Sequence, residues 1–298
     1  MMTHRPIEFR EERDLGQKLN VTFAFIKQNY KVLLTSLLYL VVPFALLAGI
    51  FSGIYQSTQL AQAAGEVEYE SMGAYSFASS ILSVHYWLQI FFTIVAYVML
   101  SLTVYSFMVL YQDYDGPIEV RDVWALAKGH IIPVLYSTIG VFIICVLGTL
   151  LLVVPGVYLY VAFSIFIVVM LREDVGFVEA MERCLYLVKG NWWSSFGFFL
   201  VLIIIQGVFG FVASAPAIVT YILRILHLPG GENDLLLVAA GTVSTVVNLL
   251  LYIIWVTGLG FQYYHLVEVK DGIGLLEQVE NIGKPEPALA TISEQEEA

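Results

Sequence analysis

The sequence predicts an all-α polytopic integral membrane protein. Six transmembrane helices are expected, as three helical hairpins, each preceded by an amphipathic helix on the cytoplasmic face. Three observations carry this. Hydrophobic residues make up 59% of the 298 and charged ones 13%, about half the quarter usual in soluble domains. The run from Gly129 to Leu171 contains no Asp, Glu, Lys or Arg, although roughly 20 apolar residues suffice for one crossing. The basic residues, finally, fall almost entirely on one side of the spans.

Taken in order, Leu15, Leu19, Phe23 and Ile26 recur at helical spacing, with Arg13, Gln17, Lys18 and Lys27 between them. This predicts a surface helix over 10–30, lying in the membrane interface. A first span covers 32–55, kinked at Pro43. The following segment carries Glu66, Glu68 and Glu70 and no basic residue, and a second span covers 81–111, long enough to tilt or project. A short helix bearing Val120, Trp124 and Ala127 leads into the uncharged run. There Pro155-Gly156 marks a turn between spans at 131–154 and 157–171, the latter short for a crossing. Arg172 to Asn191 forms another surface helix, with Phe177, Met181, Leu185 and Val188 on its apolar side. The fifth span covers 193–223, bent at Pro216, and the sixth 235–264. Residues 1–267 thus form one membrane domain. From Glu268 onward eight acidic residues stand against Lys270 and Lys284, so 268–298 contributes six of the eleven net negative charges and reads as a disordered, solvated cytoplasmic tail.

Orientation follows from the basic residues. Arg5, Arg10, Arg13, Lys18, Lys27, Lys31, Arg121, Lys128, Arg172, Arg183, Lys189, Lys270 and Lys284 fall on one side, and Arg224 alone on the other. That 13-to-1 division predicts both termini in the cytoplasm, in the inner (cytoplasmic) membrane. The first thirty residues hold no early apolar core of a signal peptide, so the first span is expected to direct insertion. Tyr55, Tyr86, Trp87, Tyr158 and Tyr221 near outer ends, and Trp192, Trp193, Tyr263 and Tyr264 near inner ones, suit interfacial anchoring. Cys145 and Cys184 sit at different depths and read as packing residues.

An internal repeat accompanies this plan. Lys27-Gln28-Asn29-Tyr30, Lys128-Gly129-His130-Ile131 and Lys189-Gly190-Asn191-Trp192 each close an amphipathic helix before an odd-numbered span. In each, the Lys would meet headgroups and the Gly or Asn would permit a left-handed turn.

Leu152-Val153-Val154-Pro155-Gly156-Val157-Tyr158-Leu159 and the run Glu179-Ala180-Met181-Glu182-Arg183-Cys184-Leu185-Tyr186-Leu187-Val188-Lys189-Gly190-Asn191-Trp192-Trp193 resemble a family of bacterial six-span membrane proteins. That family is named for the membrane domain of glycerophosphoryl diester phosphodiesterases. Its pattern is a Pro-Gly hinge, a span, then Glu-Ala-Leu, Arg-Ser, Leu and Lys-Gly before the next span. Met181 and Cys184 depart from it. The resemblance covers the middle third of the chain and implies a stand-alone membrane domain without the catalytic one.

Chemistry is sparsely marked. There is no phosphate-cradling Gly loop and no His-Glu-x-x-His. His4, His85, His130, His227 and His265 are expected at scattered depths, which gives no shared metal site, and no cofactor is expected. His85 and Gln89 form the best polar pair in the outer half. The partners expected are the lipid bilayer and another membrane protein or a cytoplasmic protein, not nucleic acid. A non-enzymatic scaffold or accessory module is the first reading. A transporter or lipid-handling protein for an apolar or uncharged substrate is the second, because no span core holds a charged side chain and such a substrate would leave no charged signature.

Spans five and six are expected to pack through small and polar stripes. Gln206, Gly210 and Ser214 recur every four residues, and Gly241, Ser244, Thr245 and Asn248 answer them. Antiparallel alignment places Gln206 opposite Asn248, Gly210 opposite Ser244 and Ser214 opposite Gly241. The charge asymmetry itself generates a labelling experiment. A Glu68→Cys variant should be tagged from outside intact cells, whereas Cys184 should not, and external tagging of Cys184 would contradict the six-span topology.

Overall fold

A computed structural model of the chain describes residues 7–63, 82–113, 116–274 and 276. Glu66, Glu68, Glu70 and residues 275 and 277–298 of the acidic tail lie outside these residues. Every regular element described is helical: α1 (Leu15–Leu40), α2 (Val42–Ala63), α3 (Val84–Asp113), α4 (Val120–Ala127), α5 (Ile131–Leu151), α6 (Val153–Phe163), α7 (Phe166–Glu173), α8 (Phe177–Val188), α9 (Trp192–Ala213), α10 (Ala215–Ile225), α11 (Asp234–Leu251) and α12 (Ile253–Asp271). Five segments are long and apolar enough to cross a membrane: α3, α4–α5, α6–α7, α9 and α11–α12. The bent pair α1–α2 brings the number to six. The protein is an all-helical membrane protein.

Several boundaries differ from the sequence expectation, each for a local reason. The first amphipathic helix does not end near Tyr30. Asp14 caps α1 by accepting from the Gln17 amide at 2.8 Å, and the helix then runs unbroken to Leu40. The Asn29 side chain donates to Phe25 O at 3.0 Å and terminates nothing. The break comes at Val41, where the chain bends by 56°. Pro43 lacks an N–H and is accommodated in the first turn of a new helix. Residues 193–223 are likewise not one helix. The Ser214 hydroxyl donates to Gly210 O at 2.8 Å, the helix stops, and Pro216 opens the separate α10. The last span runs beyond residue 264 to Asp271, so Glu268, Lys270 and Asp271 are helical rather than part of a loose tail.

Pro155 and Gly156 are not the hairpin turn. Leu152 is, with extended backbone, and both residues lie in the first turn of α6. The N–H that Pro155 lacks would have had no helical partner there. Gly156 serves close packing instead. A Cβ on it would lie 2.6 Å from Thr149 Cα, so the α5–α6 hairpin closes only over a glycine. α6 and α7 together give 21 residues from Val153 to Glu173, and the fourth span is therefore long enough to cross.

The three Lys junctions differ in geometry. Only Gly190 adopts a left-handed backbone, with φ +86°. Lys128-Gly129-His130 is a single 3-10 turn leading directly into α5, and Lys27 is mid-helix.

The core is centred on α3 and α12, buried from Ala96 to Met108 and from Val256 to Glu268 for most of their residues. Phe9, from the arm before α1, enters this core. Its ring lies 5.0–5.7 Å from those of Phe25, Tyr111, Phe261 and Tyr264. α2 packs between α3 and α11. A Cβ at Gly49 would come 2.8 Å from Thr242 Cα, and one at Gly53 2.8 Å from Val238 Cα. The Gly49-x-x-x-Gly53 spacing thus lets two membrane helices touch backbone to backbone. Gly241 faces Gly53 across this seam, not Ser214.

The packing sets two experimental outcomes. Cys184 is fully buried and cannot report sidedness by labelling, so Glu182→Cys, outside the buried face of α8, is the working reporter. In detergent unfolding, Gly53→Leu should destabilise by about 1–3 kcal/mol, the usual range for overpacking. Gly197→Leu, whose site has no atom within 4 Å, should be close to neutral.

Candidate functional site

Uncharged polar side chains from several helices meet around one cavity of about 400 Å³, the outer cavity, between α2, α3, α10 and α11. Ser52 and Gln56 reach it from α2, where the glycine seam positions them. Gln89, Thr93 and Tyr97 reach it from α3, and Ser244, Thr245 and Asn248 from α11, with Ser214 at the end of α9. Among the described residues, no charged side chain lines it. A second cavity of about 340 Å³ continues along α3, lined by Ser101 and Tyr105 from that helix and by Phe142, Phe163, Phe199 and Trp255 from its neighbours. Both volumes are typical of ligand sites, about 300–1,000 Å³.

Hydrogen bonds hold the outer cavity's walls. Asn248 Nδ2 donates to Ser214 Oγ at 3.1 Å and to Ser244 O at 2.9 Å. The Ala217 amide donates to Ser244 Oγ at 3.2 Å, and Gln56 Nε2 to Ser52 Oγ at 2.9 Å. Gln89 Oε1 is buried without a partner among the described residues. A buried amide oxygen left unpaired costs about 1–3 kcal/mol, and Gln112 Oε1 and Gln206 Oε1 are unpaired in the same way outside the cavity.

Of the residues singled out from sequence, Gln89, Ser214, Gly241, Ser244, Thr245 and Asn248 line this cavity, and Gly210 abuts it: a Cβ there would lie 3.0 Å from Asn248 Oδ1. The register of the two helices is displaced by about one turn from the alignment expected. Asn248 meets Gly210 and Ser214, while Gln206 does not reach it and leaves its Oε1 unpaired. The end of α9 at Ser214 redirects the chain into α10, and this sets the register. Gln89 is part of the site, but His85 is exposed beside Phe51, their ring centroids 6.4 Å apart. Pro155 and Gly156 belong to the hairpin tip. Lys27, Lys128 and Lys189 all lie away from the cavity.

Ser52, Gln56, Thr93 and Tyr97 were not singled out by the sequence. The signal was present on α3, where Gln89, Thr93, Tyr97, Ser101 and Tyr105 stand four residues apart and form one polar stripe past both cavities. It is hidden because apolar residues separate its members.

Charge collects at one end of the bundle. Arg172 binds Asp113 through both terminal nitrogens, and Arg183 Nε lies 3.0 Å from Glu173 while its Nη2 lies 2.5 Å from Asp271. Burial lowers the Arg183 pKa, but hydrogen bonds to Asp271 and Glu173 outweigh it and leave the guanidinium above its ordinary value. Tyr263 Oη donates to Glu173 at 2.9 Å, so α7, α8 and α12 are tied together. Gly190 and Asn191 form the turn that follows α8. Deeper in, Lys18 is buried with its ammonium donating to Gln262 Oε1 at 2.9 Å, and Gln262 Nε2 donates to Ser195 Oγ at 3.0 Å. Among the described residues no three His, Cys, Asp or Glu side chains are grouped to hold a metal.

A family model described as "Domain of unknown function (DUF7847)" matches residues 88–265, and the chain belongs to that family. The match begins on α3 and ends on α12, so it contains the polar stripe and the α11 wall of the site. No curated protein and no solved structure matches the chain.

The geometry orders three substitutions on the α9–α11 contact. Interhelical hydrogen bonds in membranes average only about 0.6 kcal/mol. Asn248→Leu should therefore cost about that much, and Gln206→Leu should be neutral or stabilising, since it removes an unpaired buried oxygen. Gly210→Leu, which drives a side chain into Asn248, should cost the most. Unfolding in mixed micelles measures all three.

Proposed function

We propose that this member of the DUF7847 family is a non-enzymatic, multi-pass protein of the inner membrane that holds an uncharged molecule inside the bilayer, as a transporter or lipid-handling protein. The observation that carries the reading is the outer cavity: amides and hydroxyls from three helices and from Ser214 between α9 and α10, no charge among the described lining residues, and a buried Gln89 oxygen without a donor. Polar groups at membrane depth are costly unless paired or used. Among the described amide oxygens left unpaired, at Gln89, Gln112 and Gln206, that of Gln89 alone belongs to a residue of the cavity lining. A charged substrate would find no counter-charge in this lining.

The 13-to-1 division of the basic residues supports a cytoplasmic location for that end of the bundle and for both termini. This agrees with the resemblance to the glycerophosphoryl diester phosphodiesterase membrane domain, which would supply the membrane part of such a system. A scaffold or accessory role is the second reading, and α9 favours it. Only 11% of its most apolar window is buried within the protein, against 61% for α3, which leaves a broad apolar face for lipid or another membrane protein.

The test is to purify the protein in mild detergent and identify bound small molecules by mass spectrometry. Wild type should retain an uncharged compound at a fixed ratio. Thr245→Trp and Ser52→Phe, which fill the cavity, should lose it while still eluting as single species. Equal retention by wild type and both variants, or no retained compound in wild type, would reject the binding reading. A protein partner held equally by all three would support the scaffold.

A further inference from the structure

The two cavities lie end to end. On α3, Thr93 and Tyr97 line the outer one and Ser101 and Tyr105 the inner one, all on the same four-residue stripe. The partition between them is an aromatic pair: Tyr97 lines the outer cavity, Tyr252 the inner one, and their ring centroids are 4.7 Å apart in a T-shaped contact. Tyr252 is the residue at which α11 ends and α12 begins. Asn248, one turn earlier, faces the outer cavity, so the partition stands where the lining changes chemistry.

We propose that the two cavities are one bipartite site for a single-chain, uncharged amphipath, with a hydroxylated head in the outer cavity and a hydrocarbon chain in the inner one. The proposal rests on the binding reading above and names its substrate class. The head is uncharged because neither described lining contains a charged side chain. It carries hydroxyls because the unpaired Gln89 Oε1 accepts and therefore needs a donor, which an ester or ether oxygen does not offer. The chain is required by the inner lining, where Phe142, Phe163, Phe199 and Trp255 offer rings and few polar atoms. The distance between the cavities also selects for length. The eight residues from Thr93 to Ser101 rise about 12 Å, more than a small polyol can span but within reach of a fatty-acyl glycerol.

The probe is a monoacylglycerol carrying a 9,10-dibromostearoyl chain, added to the full-length protein in detergent micelles. Bromine quenches tryptophan on contact, and Trp255 lines the inner cavity. The exposed Trp87, Trp124 and Trp193 give a quenching that rises in proportion to probe; above it a saturable component should appear in wild type and be absent from Trp255→Phe. The methyl ester of the same chain has no hydroxyl donor and should bind about 10-fold more weakly. Gln89→Leu should weaken the monoacylglycerol by a similar factor. The ester comparison is made on wild type, so it decides the matter even if that variant misfolds. Quenching with no saturable component, or a saturable component that persists in Trp255→Phe or is equal for the ester, would overturn the proposal. If an uncharged compound is still lost from the cavity-filled variants in the extraction experiment, the binding reading survives and only this substrate class fails.

Discussion

Two missing side chains fix the arrangement on which the rest depends. Within a bilayer, apolar burial gives helices no reason to prefer one another over lipid, so close packing decides which surfaces meet. Gly49 and Gly53 let α2 approach α11 until a Cβ would be 2.8 Å from the opposing backbone. Ser52 and Gln56 stand three residues beyond each glycine and are therefore turned to the side of the seam, towards α3. α11 is thus used on two faces. Val238, Gly241 and Thr242 meet α2, while Ser244 and Asn248 meet the end of α9 and the start of α10. The outer cavity is the space left where these contacts diverge.

The opposite end is held by stronger chemistry. Arg172 with Asp113, and Arg183 with Glu173 and Asp271, bind helices whose apolar contact alone would leave them free to slide. The Lys18 ammonium is buried and hydrogen-bonded to an amide rather than a carboxylate, a costly placement. It is offset by Gln262, which passes the hydrogen bonding on to Ser195, whose hydroxyl donates to Asn191 O at 3.0 Å. α1, α12 and α9 are joined by this relay. Ionic pairs thus tie helices at both ends of the bundle, since Arg224 on α10 pairs with Asp234 at the start of α11, and the uncharged groups surround the cavity between.

The helical class and the span count were legible because they rest on composition and on runs of uncharged residues, which no tertiary contact can reverse. Boundaries were less legible where two features competed. Lys27-Gln28-Asn29 resembles a helix end, yet nothing between Asn29 and Leu40 breaks a helix, and α1 runs on to Leu40. Pro155-Gly156 resembles a turn, yet its residues serve as a tolerated first-turn proline and a close-contact glycine. For the site, the α11 stripe was readable but its partner was not. Small residues on α9 and on α2 are equally good matches to Gly241. Only the end of α9 at Ser214, and the backbone contact at Gly53, assign that face to α2. The four-residue stripe on α3 was hidden by the apolar residues between its members.

The breaks in the helices carry information of their own. Backbone that leaves helical geometry at membrane depth is tolerated where it is buried in protein or lines a cavity. Val41 is fully buried, whereas Leu152 is exposed and marks a hairpin tip. Ser214 and Tyr252 line cavities. At Tyr252 the amide still reaches Asn248 O at 3.1 Å, so the break leaves its own N–H satisfied. The two segments continue as one 38-residue span, on one face of which Asn248 lines the outer cavity and Tyr252, Trp255 and Val256 line the inner one. Steps of three and four residues keep these positions on one helical face, so a single span presents an amide to one cavity and rings to the next.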